Sequence, residues 1–271
     1  MTRAPARLVL LGHPVAHSLS PRIQNAALHA AGIPLRYEAL DVLPDDLEST
    51  TAALVAASAA GNVTIPHKAA FGRMCDELTM LAEQAGVVNT WWVDEGRLVG
   101  DNTDVFGTHA AAQEVLGHTP YHERVALIGT GGAAAGVLAA VASWPRSSAR
   151  VYGRNRGRME TLCAQFPDVA RASSVVREAL LDATLVINAT PVGLHDDEHP
   201  IPIDVLPAEA AVLDLVYREA ETAWVKGARA RGHRAADGLT MLLEQGALSF
   251  ERWFGLNADR VAMRGAVARP A

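Results

Sequence analysis

The chain has 271 residues, 49% of them hydrophobic and 20% charged, with a formal net charge of -6. That balance belongs to a soluble globular protein with room for two modest domains or one large one, and no run of Lys and Arg is dense enough to suggest nucleic acid. The longest uncharged apolar stretches, 51–66 and 129–145, are broken by Gly, Asn or Pro before they reach the length of a membrane span. Cys75 and Cys163, the only cysteines, have no metal or redox spacing and are too few for a disulfide framework. A reducing cytoplasm is the expected home.

Short apolar runs alternate with Ala-rich helical stretches, the pattern of parallel α/β units. Arg7–Leu11 reads as a strand; the run is too short for a secretory h-region and is broken at Gly12-His13-Pro14. Pro21–Ala31 reads as a helix closed by Gly32, and Leu35–Leu40 as a strand. Pro44–Ala60 reads as a helix opened by Pro and acidic residues and ended at Gly61. Gly61–Ile65 is the next expected strand, and His67–Leu81 is expected to be mostly helical. A second series follows. Val105–Leu116 is a helix, Val125–Ile128 a strand, Ala133–Ser143 a helix, Ala149–Tyr152 a strand and Arg158–Phe166 a helix. Leu185–Asn188 and Val212–Leu215 are further strands, and Leu239–Arg252 is an amphipathic helix. The expected division is a first α/β domain over 1–106, a dinucleotide domain over 107–237 and a helical return over 238–271, with hinges near 104–108 and 237–239.

Between the expected strand at Val125–Ile128 and its helix lies Gly129-Thr-Gly131-Gly132-Ala133-Ala134, which fits G-x-G-x-x-A. Glycine permits the tight turn, the backbone can approach a pyrophosphate, and the helix N-terminus favours its negative charge. A Gly-rich turn alone is also an ordinary loop; the flanking strand and Ala-rich helix favour the dinucleotide. After the next strand, where an acidic residue would hold a ribose 2′-hydroxyl, stands Gly153-Arg154-Asn155-Arg156-Gly157-Arg158, with three arginines and no carboxylate. A guanidinium matches a phosphate through two parallel charge-assisted bonds, so NADP is the expected cofactor. Arg154 is the first candidate for the 2′-phosphate and Arg158 the second.

Four polar segments punctuate the first domain: Gly12-His-Pro-Val-Ala-His-Ser18-Leu-Ser20-Pro21, Asn62-Val-Thr64-Ile-Pro66-His-Lys68, Gly86-Val-Val-Asn89-Thr90 and Gly100-Asp-Asn-Thr-Asp104. Each alone is compatible with turn or cap chemistry. Together with the Gly-rich turn, Asn188-Ala-Thr190-Pro-Val-Gly193, Asp214-Leu-Val-Tyr217 and Gly238-Leu-Thr-Met241-Leu-Leu-Glu-Gln245, they resemble the shikimate dehydrogenase family over nearly the whole chain. The resemblance implies an α/β fold of two domains, an N-terminal substrate-binding domain and a Rossmann-type NADP domain, with C-terminal helices returning to the first. It implies that Ser18, Ser20 and Tyr217 hydrogen-bond a substrate carboxylate. Thr64, Asn89, Asp104 and Gln245 would surround the ring hydroxyls and the reacting carbonyl, and Lys68 and Asp104 would be the catalytic pair. Gly129, Gly131, Gly132, Ala133, Arg154, Arg158, Thr190 and Gly238 would face the dinucleotide.

The chemistry has its own logic. Reducing a ketone needs a hydride on carbon and a proton on oxygen. A nicotinamide supplies the first, and the protein must stabilise or protonate the developing alkoxide. A lysine ammonium, charged at neutral pH, does both if oriented by a carboxylate. Lys68 follows an expected strand end, where ligands of α/β proteins bind.

Several positions depart from the family pattern: Gln24 for a usual His, Gly153 and Asn155 for Asn and Thr beside Arg154, Val105 for Gly, and Arg218-Glu219 for Asn-Pro. The cluster His195-Asp-Asp-Glu-His199 reads as an exposed loop, and no metal is expected. The expected partner is a small molecule, shikimate or 3-dehydroshikimate, and the chain itself a monomer or homodimer without nucleic-acid or membrane partners. Two alternatives stand beside this reading: a quinate/shikimate dehydrogenase using NAD, and a non-catalytic ligand sensor on the same fold.

Overall fold

The computed structural model describes residues 4–218 and 220–268. They form two compact units: one holds the described residues up to Asp104 and those from Leu242 onward, the other is Val105–Met241.

The first unit is built on strands β1 (Arg7–Gly12), β2 (Tyr37–Asp41), β3 (Ala59–Val63), β4 (Glu77–Leu78), β5 (Thr90–Asp94) and β6 (Arg97–Asp101), in the spatial order β2-β1-β3-β5-β6-β4. Helices α1 (Ser20–Ala30), α2 (Leu47–Ala56), α3 (Lys68–Gly72) and α4 (Met80–Ala85) connect them. Leu8, Val9, Leu10 and Leu11 of β1 are all buried, as a strand covered on both faces requires. Phe71 and Trp91, ring centroids 5.4 Å apart, are fully buried in the core with Val9, Leu11 and Val63. Each such side chain contributes roughly 1.5–3 kcal/mol by leaving water.

The second unit starts on α5 (Asp104–Leu116), continues through β7 (Arg124–Ile128), α6 (Gly132–Ser143), β8 (Ser148–Tyr152), α7 (Arg156–Gln165), β9 (Ala170–Ser173), α8 (Val176–Leu180), β10 (Leu185–Asn188), β11 (Ala211–Asp214), α9 (Ala223–Ala230) and β12 (Ala235–Ala236), and ends on the first residues of α10 (Leu239–Phe254). The strand order is β12-β11-β10-β7-β8-β9, and every pair is parallel. Counted from the first strand of the unit this is the Rossmann order, with its reversal at β7. The rest of α10 and α11 (Arg260–Ala266) belong to the first unit.

Several elements differ from the sequence reading. The helix expected over Pro44–Ala60 is a short 3-10 turn and then α2, ending at Ala56. Ser58 takes a positive φ of 50° and turns the chain into β3, so Ala59 and Ala60 are strand, not helix. The stretch expected to be mostly helical to Leu81 is only the five-residue α3, then β4, then α4, whose N-cap Thr79 accepts from the Ala82 amide. The first sheet is mixed: β5 runs antiparallel to β3 and to β6. The β5–β6 hairpin turns on Glu95 and Gly96, at φ 49° and 80°, the left-handed pair of a type I′ turn. Glutamate there gives a weaker signal than Asn or Asp, and the hairpin, with β9, α8, α9 and β12, is not among the elements expected, whereas α11 falls within the helical return expected over 238–271. No helix among the described residues is long and apolar enough to cross a membrane.

Candidate active site

In the first unit the expected site residues follow one edge of the sheet. Ser18 and Ser20 lie beyond the end of β1, Thr64 and Lys68 beyond the end of β3, and Asp104 beyond the end of β6. Asn89 precedes β5, and because β5 is antiparallel its start reaches that same edge: Thr90 pairs with Asn62 on one side and Asp101 on the other.

Four of these side chains meet. Lys68 Nζ donates to Asp104 Oδ2 at 2.5 Å, with the two side chains 13% and 6% exposed. Asp104 Oδ1 accepts from Asn89 Nδ2 at 2.9 Å. The same Asn89 nitrogen lies 3.2 Å from Gln245 Oε1 on α10, while Gln245 Nε2 donates to the Leu242 carbonyl at 2.8 Å. Asn89 Oδ1 accepts the Thr103 amide at 2.7 Å, which fixes which way its carboxamide faces. An ammonium is thus held on one oxygen of a buried carboxylate whose other oxygen is separately tied. Such a group can give a proton to, or take one from, a bound oxygen while its counter-charge stays in place.

Ser18 and Ser20 stand at the start of α1. The Ser18 hydroxyl accepts the Ser20 amide at 3.2 Å, so Ser18 rather than Ser20 serves the turn into the helix. Thr64 is half-buried, its amide bonded to the Leu11 carbonyl at 2.8 Å. Neither these serines nor Thr64 shares a hydrogen bond with the Lys68 group. His67, beside Lys68, is buried and spends Nε2 on the Val42 carbonyl at 2.7 Å.

In the second unit the expected residues sit just past the carboxyl ends of the parallel strands: Gly129 after β7, Arg154 after β8, Thr190 after β10, Tyr217 after β11 and Gly238 after β12. Gly129 has φ 125°, and a Cβ there would lie 2.8 Å from the Ala189 carbonyl oxygen. Only glycine fits that approach. Gly131, the N-cap of α6, is extended and puts no side chain over the helix start, and nothing within 4 Å occupies the place of its missing Cβ. No side chain at Gly131 therefore obstructs the approach of a pyrophosphate to the start of α6. Arg154 and Arg158 are exposed and form no salt bridge among the described residues, whereas Arg156 is engaged by Glu160 at 2.7 Å. Asn155 is the N-cap of α7, its Oδ1 accepting the Arg158 amide at 2.9 Å. The donor set fits a 2′-phosphorylated dinucleotide.

Thr190 and the Tyr217 segment are supported by a buried polar group of Asn188, Asp214 and Thr222, the first two of which open motifs of the sequence that give them no role. Asn188 Oδ1 accepts the Thr190 amide and hydroxyl at 2.9 and 2.7 Å. Asn188 Nδ2 donates to Asp214 Oδ1 at 2.8 Å, which also accepts the Val216 amide at 3.1 Å; Thr222 donates to Oδ2 at 2.8 Å. Burial pushes the Asp214 carboxyl up to about 6 against the pull of these three donors. Arg218 binds the Asp196 carbonyl at 2.8 Å and the Asp197 carboxylate at 2.6 Å, which ties the His195–His199 loop to the segment carrying Tyr217. Glu219 lies outside the described residues. Gln24, another departure, donates to the Gly246 carbonyl at 2.8 Å and so links α1 to α10. No group of His, Cys, Asp and Glu among the described residues is arranged to hold a metal ion.

A Rossmann sheet with a Gly-rich turn, joined in one chain to a mixed sheet bearing a lysine paired with a buried carboxylate, defines a two-unit α/β protein of the dinucleotide-dependent type. Residues 10–91 match the family model of the shikimate dehydrogenase substrate binding domain, and 238–268 that of the shikimate 5'-dehydrogenase C-terminal domain. The chain is 39% identical to the shikimate dehydrogenase (NADP(+)) of Symbiobacterium thermophilum, over 98% of this chain and 95% of that one. It is 41% identical to the shikimate dehydrogenase (NADP(+)) of Methylocella silvestris, over 94% and 92%. It superposes on the shikimate 5-dehydrogenase of Thermus thermophilus, crystallised with NADP(H) and shikimate, with a TM-score of 0.85 at 36% identity, covering 96% and 98% of the two chains. The chain belongs to the shikimate dehydrogenase family.

Proposed function

We infer that this chain is an oxidoreductase that reduces the ketone of 3-dehydroshikimate to the alcohol of shikimate with NADPH, and runs the reverse reaction with NADP. The observation that carries the reading is the Lys68–Asp104 pair, a half-buried lysine at 2.5 Å from a buried carboxylate, in a chain of this family. When bound, the nicotinamide supplies or accepts the hydride at the substrate carbon. Lys68 gives a proton to the carbonyl oxygen in reduction and takes it from the hydroxyl in oxidation. Asp104 holds the ammonium through Oδ2, and Asn89 keeps the carboxylate in register through Oδ1.

Within the same reading Ser18, Ser20 and Tyr217 bind the substrate carboxylate, and Thr64, Asn89 and Gln245 bind ring hydroxyls. Neutral amide and hydroxyl partners suit a small polyol, because a site built to pair hydroxyls rejects analogues that lack them. Gly129, Gly131, Gly132, Ala133, Thr190 and Gly238 line the dinucleotide; Arg154 and Arg158 take the 2′-phosphate. The first unit is the substrate domain and the second the NADP domain. The enzyme works in the cytoplasm, as a monomer or homodimer, in the biosynthesis of chorismate and the aromatic amino acids.

Initial rates for shikimate and quinate, each with NADP and NAD, test the reading. Shikimate with NADP is expected to have by far the highest kcat/KM. Faster turnover of quinate with NAD would move the chain to the quinate branch of the family, and no turnover of any pair would leave a ligand sensor.

A further inference from the structure

Behind the Lys68 group lies a second polar layer. Thr90 at the start of β5, Thr103 before α5 and Ser249 on α10 are all 0% exposed. Their hydroxyl oxygens form a triangle: Thr90 to Ser249 2.7 Å, Thr90 to Thr103 3.0 Å, and Thr103 to Ser249 3.1 Å. Asn62 of β3 donates to Thr90 and Ser249 at 2.9 and 3.0 Å and to the Asn89 carbonyl at 3.1 Å, and its own oxygen accepts the Tyr37 hydroxyl at 2.8 Å.

The place of these hydroxyls in the chain gives them meaning. Thr90 follows Asn89, Thr103 precedes Asp104, and Ser249 lies one helical turn past Gln245, whose carbonyl it binds at 2.8 Å. Each corner of the triangle is next to, or one turn from, a residue assigned to the site. Thr103 also touches the site directly, since its hydroxyl lies 3.0 Å from Asn89 Nδ2. The hydroxyls satisfy one another. With Ser249 giving its hydrogen to the Gln245 carbonyl, Thr90 is the donor along the shortest edge, and Thr103 has Thr90, Ser249 and Asn89 as acceptors. Removing any one of these hydroxyls leaves a buried neighbour short of a partner, which is unfavourable where water cannot replace it.

We propose that Thr90, Thr103 and Ser249, anchored by Asn62, are positioning residues that hold Asn89, and through it the Asp104 carboxylate, in register against Lys68. The proposal builds on the dehydrogenase reading, but half of its test does not need the reaction. The chain has only two lysines, Lys68 and the exposed Lys226. An ammonium fixed on a carboxylate acylates slowly, and one whose carboxylate has drifted acylates faster. The ratio of Lys68 to Lys226 acetylation by acetic anhydride, read by peptide mass spectrometry, therefore reports the pair in the apo protein.

Thr90→Val keeps the shape and removes the hydroxyl, Ser249→Ala removes one oxygen atom, and Thr90→Ser keeps the hydroxyl. In Thr90→Val and Ser249→Ala the labelling ratio is expected to rise several-fold. The kcat for shikimate oxidation is expected to fall about 10-fold to 10²-fold, the scale of a small misplacement of reacting groups, with the KM for NADP unchanged. Thr90→Ser is expected to restore most of both, which recovery of packing alone does not do. Thermal melts select the variants that fold; Ser249→Ala is the mildest change. A wild-type labelling ratio in folded Thr90→Val and Ser249→Ala, or equal losses in Thr90→Ser and Thr90→Val, overturns the proposal. If the wild-type protein does not oxidise shikimate with NADP, the dehydrogenase reading falls, and the labelling ratio still decides the positioning role.

Discussion

Asp104 uses both carboxylate oxygens at once, one on Lys68 and one on Asn89, and lies at the first residue of α5. A carboxylate held from two sides has one orientation, and the ammonium inherits it. Arg154 is the opposite kind of residue: exposed, without an ion-pair partner among the described residues, and set just past β8. Arg154→Ala is expected to weaken NADP binding by about 1.5–3 kcal/mol, the worth of a charged hydrogen bond, and to leave NAD almost unaffected. Titrating both cofactors into the variant checks this, and an equal loss for the two would remove the phosphate role. The arginines without a nearby acid and the place of Lys68 after a strand are chemical signals in the sequence itself, whereas the pairing of Lys68 with Asp104 comes only with the family resemblance. Thr90 and Ser249 were not singled out, because a buried hydroxyl and a surface hydroxyl look the same in a sequence.

At the scale of elements, the two sheets differ in how far the sequence reading reached. The parallel sheet of the second unit follows the repeat of apolar runs and Ala-rich helices, and β7, α6, β8, α7, β10 and β11 stand within two residues of where periodicity puts them. Short pieces such as β12 and α8, two and five residues long, carry too little pattern to be seen. The β5–β6 hairpin mattered more. It returns the chain to the edge it left, so that Asn89 and Asp104 meet although 15 positions separate them. The strand ends of the second unit are held by Asn188, Asp214 and Thr222, and this cluster has a pH signature. Burial pushes the Asp214 carboxyl up from its ordinary 3.8 to about 6 in the fold. The folded state therefore binds the proton more tightly than the unfolded chain, and stability falls as pH rises from about 4 to about 6. At about 1.36 kcal/mol per pH unit the loss is about 3 kcal/mol. Asp214→Asn stays neutral throughout, so its stability relative to wild type is expected to improve by about that amount between pH 4 and pH 7. Paired melts across that range check it; a flat or falling difference would mean that the three donors hold Asp214 ionised in the fold.

At the scale of the molecule, two α/β units share one chain that crosses between them near Asp104 and again within α10. One carries a lysine–carboxylate pair at its sheet edge, the other a Rossmann turn whose N-cap, Gly131, puts no side chain over the start of α6. The central claim is that Lys68, held by Asp104, moves the proton in shikimate oxidation. Steady-state turnover of shikimate with NADP by Lys68→Ala, with a thermal melt to confirm folding, tests it most directly. General acid–base groups contribute about 10²–10⁴-fold, so kcat is expected to fall by that much while the KM for NADP holds. A folded Lys68→Ala protein that oxidises shikimate at the wild-type kcat would contradict the account.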